Sequence, residues 1–141
     1  MKPNEKRFQE IYVEFQVLSN SIQQLEKQGN ALESHLMELL TTKKSLDDIE
    51  KVRPGTEILV PLSSGIYVKA DIKESDRFIV NVGSNIALGK NLASTRKIIE
   101  EQIIEIKKMQ ENLSQELGIN TAKAAELEQE LNKIASTMQD K

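Results

Sequence analysis

PGTEILVPLSSGIYVKADIKESDRFIVNVGSNIALG, residues 54–89, is the stretch whose reading decides the fold. It holds four short runs rich in β-branched residues, at 57–62, 66–72, 77–82 and 86–89, separated by Ser63-Ser64-Gly65, residues 73–76 and Gly83-Ser84-Asn85. Those separators are turn chemistry: glycine and asparagine tolerate left-handed backbone, and serine and aspartate bond their own main chain. Ile66, Val68, Ala70 and Ile72 fall on one face of the second run, with Tyr67, Lys69 and Asp71 on the other; Phe78, Val80 and Val82 alternate with Arg77 and Asn81 in the third. Two consecutive half-buried β-hairpins follow. Isolated hairpins are marginal in water, so strands of other chains are expected to complete the sheet. The residues expected to carry that interface are Ile58, Val60, Ile66, Val68, Ile72, Phe78, Val80, Val82 and Ile86. Pro61 removes a ladder donor and makes the first strand an edge or bulged one.

Working outward, both flanks repeat every seven residues. Upstream, Phe8, Phe15, Ile22, Gly29, Leu36 and Lys43 take position a of a heptad, and Ile11, Leu18, Leu25, Leu32, Leu39 and Leu46 position d. A helix over 4–53 is predicted, stopped by Pro54-Gly55. At 1.5 Å per residue it is roughly 70 Å long, too long for a domain of this size to wrap in its own core. Downstream, Asn91 is a candidate N-cap for a helix over 91–139. Its d positions are Leu92, Ile99, Ile106, Leu113, Asn120, Leu127 and Ile134, and its a positions Arg96, Ile103, Gln110, Leu117, Ala124, Leu131 and Met138. Matched lengths and a hairpin insert predict one fold: a mainly α, antiparallel two-helix coiled coil with two β-hairpins at its closed end, a single domain over residues 1–141. Opposite residues then have numbers summing to near 142. Ser19-Asn20-Ser21 faces Gly118-Ile119-Asn120-Thr121, two stretches of poor helix formers, and a soft joint is expected there.

Composition narrows the function. The chain has 141 residues, 38% hydrophobic and without tryptophan, so a compact core is not expected. A net charge of -3 with both signs interspersed supplies no basic field for nucleic acid or an anionic membrane, which leaves protein partners. There is no cysteine, and the N-terminus lacks the apolar run of a secretory signal; a cytoplasmic location is the expectation. His35, the sole histidine, has no partner ligand for a metal. Between Gly83 and Gly89 stand five residues, where a phosphate loop needs four, and Asn91 replaces the magnesium-binding Ser or Thr. The adjacent acids Asp47-Asp48 and Glu100-Glu101 diverge on a helix. No enzyme activity, cofactor or metal is expected.

The run ILVPLSSGIYVKADIKESDRFIVNVGSNIALGKN between two heptad helices resembles the α-class subunit of prefoldin, along the whole chain. Most specific are the ILVPL strand, the small-residue turn with Gly65 before an aromatic, and Val82-Gly83 at the second turn; two hairpins distinguish the α from the β class. The resemblance implies a heterohexamer of two α and four β subunits on an oligomeric β-barrel, so the partners are β-class subunits and a second α. It further implies capture of unfolded polypeptides without nucleotide and delivery to a group II chaperonin. Compact ends favour an archaeal form.

Around the expected open end, apolar residues leave the seam. Tyr12, Val13 and Val17 take positions e, f and c, and Phe8, Tyr12 and Phe15 are three of the five aromatics. With Ile11, Leu127, Leu131, Ile134 and Met138 they form the candidate client-binding tip. Packing in an assembly contact is the competing reading. A structural coiled-coil adaptor with fixed partners is the alternative function, distinguished by binding one folded partner rather than many unfolded ones.

Overall fold

A computed structural model describes residues 2–139; Met1, Asp140 and Lys141, the ends of the expected 1–141 domain, lie outside the described residues. The element order is α1 (Pro3–Glu50), β1 (Glu57–Ser63), β2 (Ile66–Asp71), β3 (Arg77–Asn81), β4 (Ala87–Asn91) and α2 (Leu92–Gln139). Two compact units are formed, one from residues 36–105 and one from 2–35 with 106–139.

In the 36–105 unit the end of α1 lies against the start of α2, and the heptad reading holds. Leu36, Leu39, Leu46 and Ile103 are buried while the residues next to them are exposed, Asp47 excepted, which is half-buried. Arg96 occupies a seam position and closes it with charge. Its guanidinium donates to Asp47 Oδ1 at 2.7 Å and to Glu50 Oε2 at 3.3 Å, and Asp47 foremost holds its pKa above the ordinary value. Asn91 caps α2 as expected, its Oδ1 accepting from the Ser94 amide at 2.8 Å. The buried Thr95 hydroxyl donates to the Asn91 carbonyl.

Helix α1 ends at Glu50, short of the expected 53. Lys51 and Val52 donate three residues back, to Asp48 and Ile49, so the last turn tightens before Pro54 forbids helical backbone at Arg53. The strands form two separate two-stranded antiparallel sheets, β1 with β2 and β3 with β4. In the first, Glu57↔Asp71 through Pro61↔Tyr67 are partners and the register slips at Leu62 before Ser63↔Ile66. The two-residue turn that follows needs Gly65 at φ 81°. In the second, Arg77↔Asn91 through Asn81↔Ala87 are partners. Ser84 and Asn85 both stand left-handed, at φ 51° and 60°, and the Asn81 side chain accepts from the Gly83 amide, so the turn matches strand twist. β4 therefore starts one residue late and runs into the cap: Ile86 is spent closing the turn, and pairing with β3 extends through Lys90 and Asn91.

In the unit of residues 2–35 with 106–139, Ile11, Leu25, Ile106 and Leu127 are buried. A β-carbon on Gly29 would lie 3.1 Å from Leu113 Cδ2, which makes these two opposite one another, as numbers summing to 142 require. Arg7–Glu130 at 2.9 Å and Glu14–Lys123 at 3.5 Å flank the seam, and Gln110 Nε2 donates to Glu33 at 3.0 Å. Such exposed pairs contribute little stability, about 0–1 kcal/mol each, but they fix register. Of the residues expected at a and d along both helices, Met138 alone is exposed.

Candidate functional site

Two sets of apolar side chains lack cover. The first belongs to the 2–35/106–139 unit. Heptad geometry puts Ile11 and Leu127 into the seam, where both are buried; Phe8, Phe15, Leu131 and Ile134 are half-buried beside them. Tyr12, Val13 and Val17 stand outside the seam at 49, 60 and 61% exposure, and Met138 is exposed at the end of the described helix. The Phe8 and Tyr12 rings stack with centroids 6.3 Å apart, one turn apart on the helix, and Gln16 Nε2 donates to the Tyr12 hydroxyl at 3.2 Å. Stacking covers part of the Tyr12 ring while its hydroxyl stays hydrogen-bonded at the surface. Sequence reasoning missed Ile119, which is 69% exposed. It takes position c, as Val17 does, and the Glu14–Lys123 ion pair brings the flanks of these two residues to the same side of the coil. The signal was available: an isoleucine outside a and d on an otherwise polar face.

The second set is on the hairpins. Of the nine expected interface residues, Ile58, Ile72, Phe78 and Val80 are half-buried, whereas Val60, Ile66, Val68, Val82 and Ile86 are exposed. The opposite faces also carry apolar residues: Tyr67, which alternation placed there, and Leu59 and Ile79, which it did not bring out, the last 83% exposed. Both faces of both hairpins thus have apolar side chains in water. The stretch from Gly83 to Lys90 is a tight turn followed by a paired strand, and the Gly83 and Ile86 amides are bonded to Asn81 Oδ1 and to the Gly83 carbonyl.

Among the described residues no group of three or more His, Asp or Glu side chains converges to hold a metal ion. Nor is any helix long and apolar enough to cross a membrane.

Two long helices joined by two small hairpins, with a heptad seam along both helices, define a coiled-coil subunit carrying a β insert. Residues 18–137 match the family model described as Prefoldin subunit. The chain is 30% identical to the prefoldin subunit alpha of Thermofilum pendens, over 82% of this chain and 89% of that protein. It is 29% identical to the prefoldin subunit alpha of Pyrococcus horikoshii, over 92% and 93%. Its fold is that of filamentous PFD from Methanocaldococcus jannaschii, solved by cryo-EM, with a TM-score of 0.72 at 23% identity over 80% of this chain and 93% of that one. The chain belongs to the prefoldin family, in its α class. That family is one of chaperones and not of enzymes.

Proposed function

We propose that the chain acts, as a single domain over residues 1–141, as the α subunit of an ATP-independent holdase: it captures unfolded polypeptides at the open end of its coil and hands them to a group II chaperonin. The observation that carries this reading is the exposure of Tyr12, Val13 and Val17, apolar side chains outside a seam that already buries Ile11 and Leu127. Removing such surface from water contributes roughly 25 cal/mol per Å², so three side chains on one subunit hold a client weakly. Weak sites become effective when several are linked, which is what a hexamer of two α and four β subunits joined through the hairpins supplies. Each exposed residue can be released without chemical energy input, and nucleotide has no role in such a cycle. The buried members of the site, Ile11 and Leu127, take part only when the coil opens between them. A cytoplasmic location accompanies this reading.

The test is a truncated subunit lacking the residues before Phe15 and after Leu127, assembled with its β-class partner and compared with the full complex. Suppression of aggregation of several unrelated unfolded proteins should fall while the complex keeps its stoichiometry, because the strands at 57–91 are untouched. Equal suppression by both complexes would show that capture lies elsewhere, and binding of one folded partner alone would return the chain to the adaptor role.

A further inference from the structure

Outside the sets already described, the coil of the 36–105 unit carries three uncovered apolar side chains at one level. Two ion pairs locate them. Arg96 meets Asp47 and Lys43 meets Glu100, in both cases a seam position a of one helix with position e of the other, and in both the residue numbers sum to 143. The next pair in that series is Leu40, at position e, with the buried Ile103. The two layers nearer the hairpins close this flank of the seam with charge, whereas this one presents a leucine 41% exposed. In an antiparallel coil the e positions of both helices share a flank, and b lies just outside e on each. At this level the b residues are Met37 and Ile104, 55 and 67% exposed. Met37, Leu40 and Ile104 thus form an apolar band that crosses one flank from α1 to α2. A single exposed apolar residue is ordinary; three at one level on two helices are a patch.

On the α1 side the band opens into a groove of about 460 Å³ walled by Met37, Glu38, Thr41 and Thr42. The Thr42 hydroxyl donates to the Glu38 carbonyl at 2.8 Å, so it is not a free donor to a ligand. Met37 itself is unbranched and polarisable, and adapts to occupants of different shape.

Size and direction decide what the band fits. Three part-exposed side chains supply on the order of 300 Å², well short of the roughly 800 Å² per partner of a stable interface, so neither a folded partner nor a second coil is held here permanently. A helix laid along the coil would run from the band onto Lys43–Glu100 and Arg96–Asp47 and strip water from both pairs, a cost their attraction seldom repays. A segment crossing the coil avoids them. The coil is about 20 Å wide, two helices of roughly 10 Å each, and about six residues of extended chain at roughly 3.3 Å apiece span it, with alternate side chains facing the band.

We propose that Met37, Leu40 and Ile104 are a second foothold for an unfolded polypeptide, additional to the tip, and that it takes an extended segment of about six residues with apolar side chains at alternate positions. The proposal rests on the holdase reading and adds to it a preference in the chain held, for segments patterned as strands. A client held at both places gains from the linkage, because each contact raises the effective concentration of the other.

The test uses the complex with the β-class partner and, as client, reduced and carboxymethylated lysozyme, which stays unfolded. A photo-crosslinking residue is placed singly at Met37, at Ile104, at Val13 as the tip reference, and at Gln102, exposed at position g on the other flank, as the blank. Adducts with the unfolded chain should form from 37, 104 and 13 and not from 102. Of two peptides of equal composition, the one with apolar residues at every second position should suppress the adducts at 37 and 104, and the one with helical spacing should not. Met37→Ser combined with Ile104→Ser, with complex mass and helix content unchanged, should weaken binding of the same client about fivefold, and Met37→Leu with Ile104→Leu should bind it as the unaltered complex does. Adducts from 13 but not from 37 or 104, or equal adducts from 102, overturn the inference and leave tip capture standing. Stronger suppression by the helical peptide overturns the strand preference, and adducts from 37 or 104 to a sister subunit before client is added make the band a subunit contact. Absence of adducts from all four positions, with no suppression of aggregation, removes the holdase reading itself and this foothold with it.

Discussion

Gly118 lies inside α2, and it is the position where a single methyl group tests whether the open end of the coil is built to loosen. A β-carbon placed there meets no atom within 4 Å, so Gly118→Ala changes backbone freedom without touching packing. Glycine within a helix is less stable than alanine by about 1 kcal/mol. Any opening that unwinds α2 through this point therefore becomes harder by about 1 kcal/mol, and since 1.4 kcal/mol is tenfold, its population falls about fivefold. Amide exchange under conditions where reclosing is fast reads that population directly. Amides at 121–134 on α2 and 8–18 on α1 should exchange about fivefold more slowly in Gly118→Ala, with those at 36–46 and 99–106 unchanged. Gly29→Ala is the internal comparison. There the new methyl sits 3.1 Å from Leu113 Cδ2, so the same propensity gain is offset by overpacking, which typically costs about 1–3 kcal/mol, and exchange should not slow. If softness assists capture, Gly118→Ala combined with Asn120→Leu, which replaces the amide of a seam layer, also narrows the range of clients held. Unchanged exchange at 121–134 in Gly118→Ala would refute the joint, as would uniform slowing along both helices.

Val68→Asp or Val80→Asp places a charge on a strand face expected to be covered on assembly, where an unpaired charge is strongly unfavourable; the complex should fall apart with helix content intact, and an unchanged mass for both variants rules those faces out. Ile11→Ala removes a side chain only 2% exposed and should lower stability by about 2–5 kcal/mol, read as faster exchange over 8–18; a change below 1 kcal/mol would mean that the seam is already open there. Two glycines inserted between Asn91 and Leu92 should lower the melting temperature by separating cap from helix, whereas the same insertion after Arg53 should leave it nearly unaltered, and equal effects at both points would show that the two hairpins are attached alike.

Seam residues were legible because a heptad is a statement about which side chains a helix buries, and Ile11, Leu25, Leu36, Leu39, Leu46, Ile103, Ile106 and Leu127 are all buried. The hairpins were legible through their turns: Gly65 and the pair Ser84-Asn85 take the left-handed backbone that their residue types allow. Strand ends were not. Ile86 looks like the first residue of a strand by hydrophobicity, yet a tight turn recruits its amide, and Lys90 and Asn91 pair with β3 because the cap holds them in line. Of the candidate client site, alternation within helices identified Tyr12, Val13 and Val17, but Ile119 needed the pairing of Glu14 with Lys123 to bring it to the side of Val17. Leu59 and Ile79 escaped notice because a period of two assigns one face to the core, and it has no means of registering strands that carry apolar residues on both.

Asn91 is at once the last residue of β4 and the cap of α2, and the Leu92 amide donates to the Asp76 carbonyl at the mouth of β3. The second hairpin is thus geared to its helix without slack: any twist of β4 turns the first helical residues, and one turn on, Arg96 passes that rotation to Asp47 and Glu50 at the end of α1. The first hairpin is hung differently. Residues 51–56 come between it and α1, with Gly55 at φ 91° and its amide bonded to the Ile72 carbonyl, so the hairpin is tied to this connecting turn and not to a helix cap. A ring of subunits must reconcile small errors of curvature before it closes. In the strand-joined assembly proposed for this chain, the second hairpin, bonded directly into α2, would set the direction in which its helix leaves the strands, and the first, separated from α1 by residues 51–56, would be the one with room to adjust.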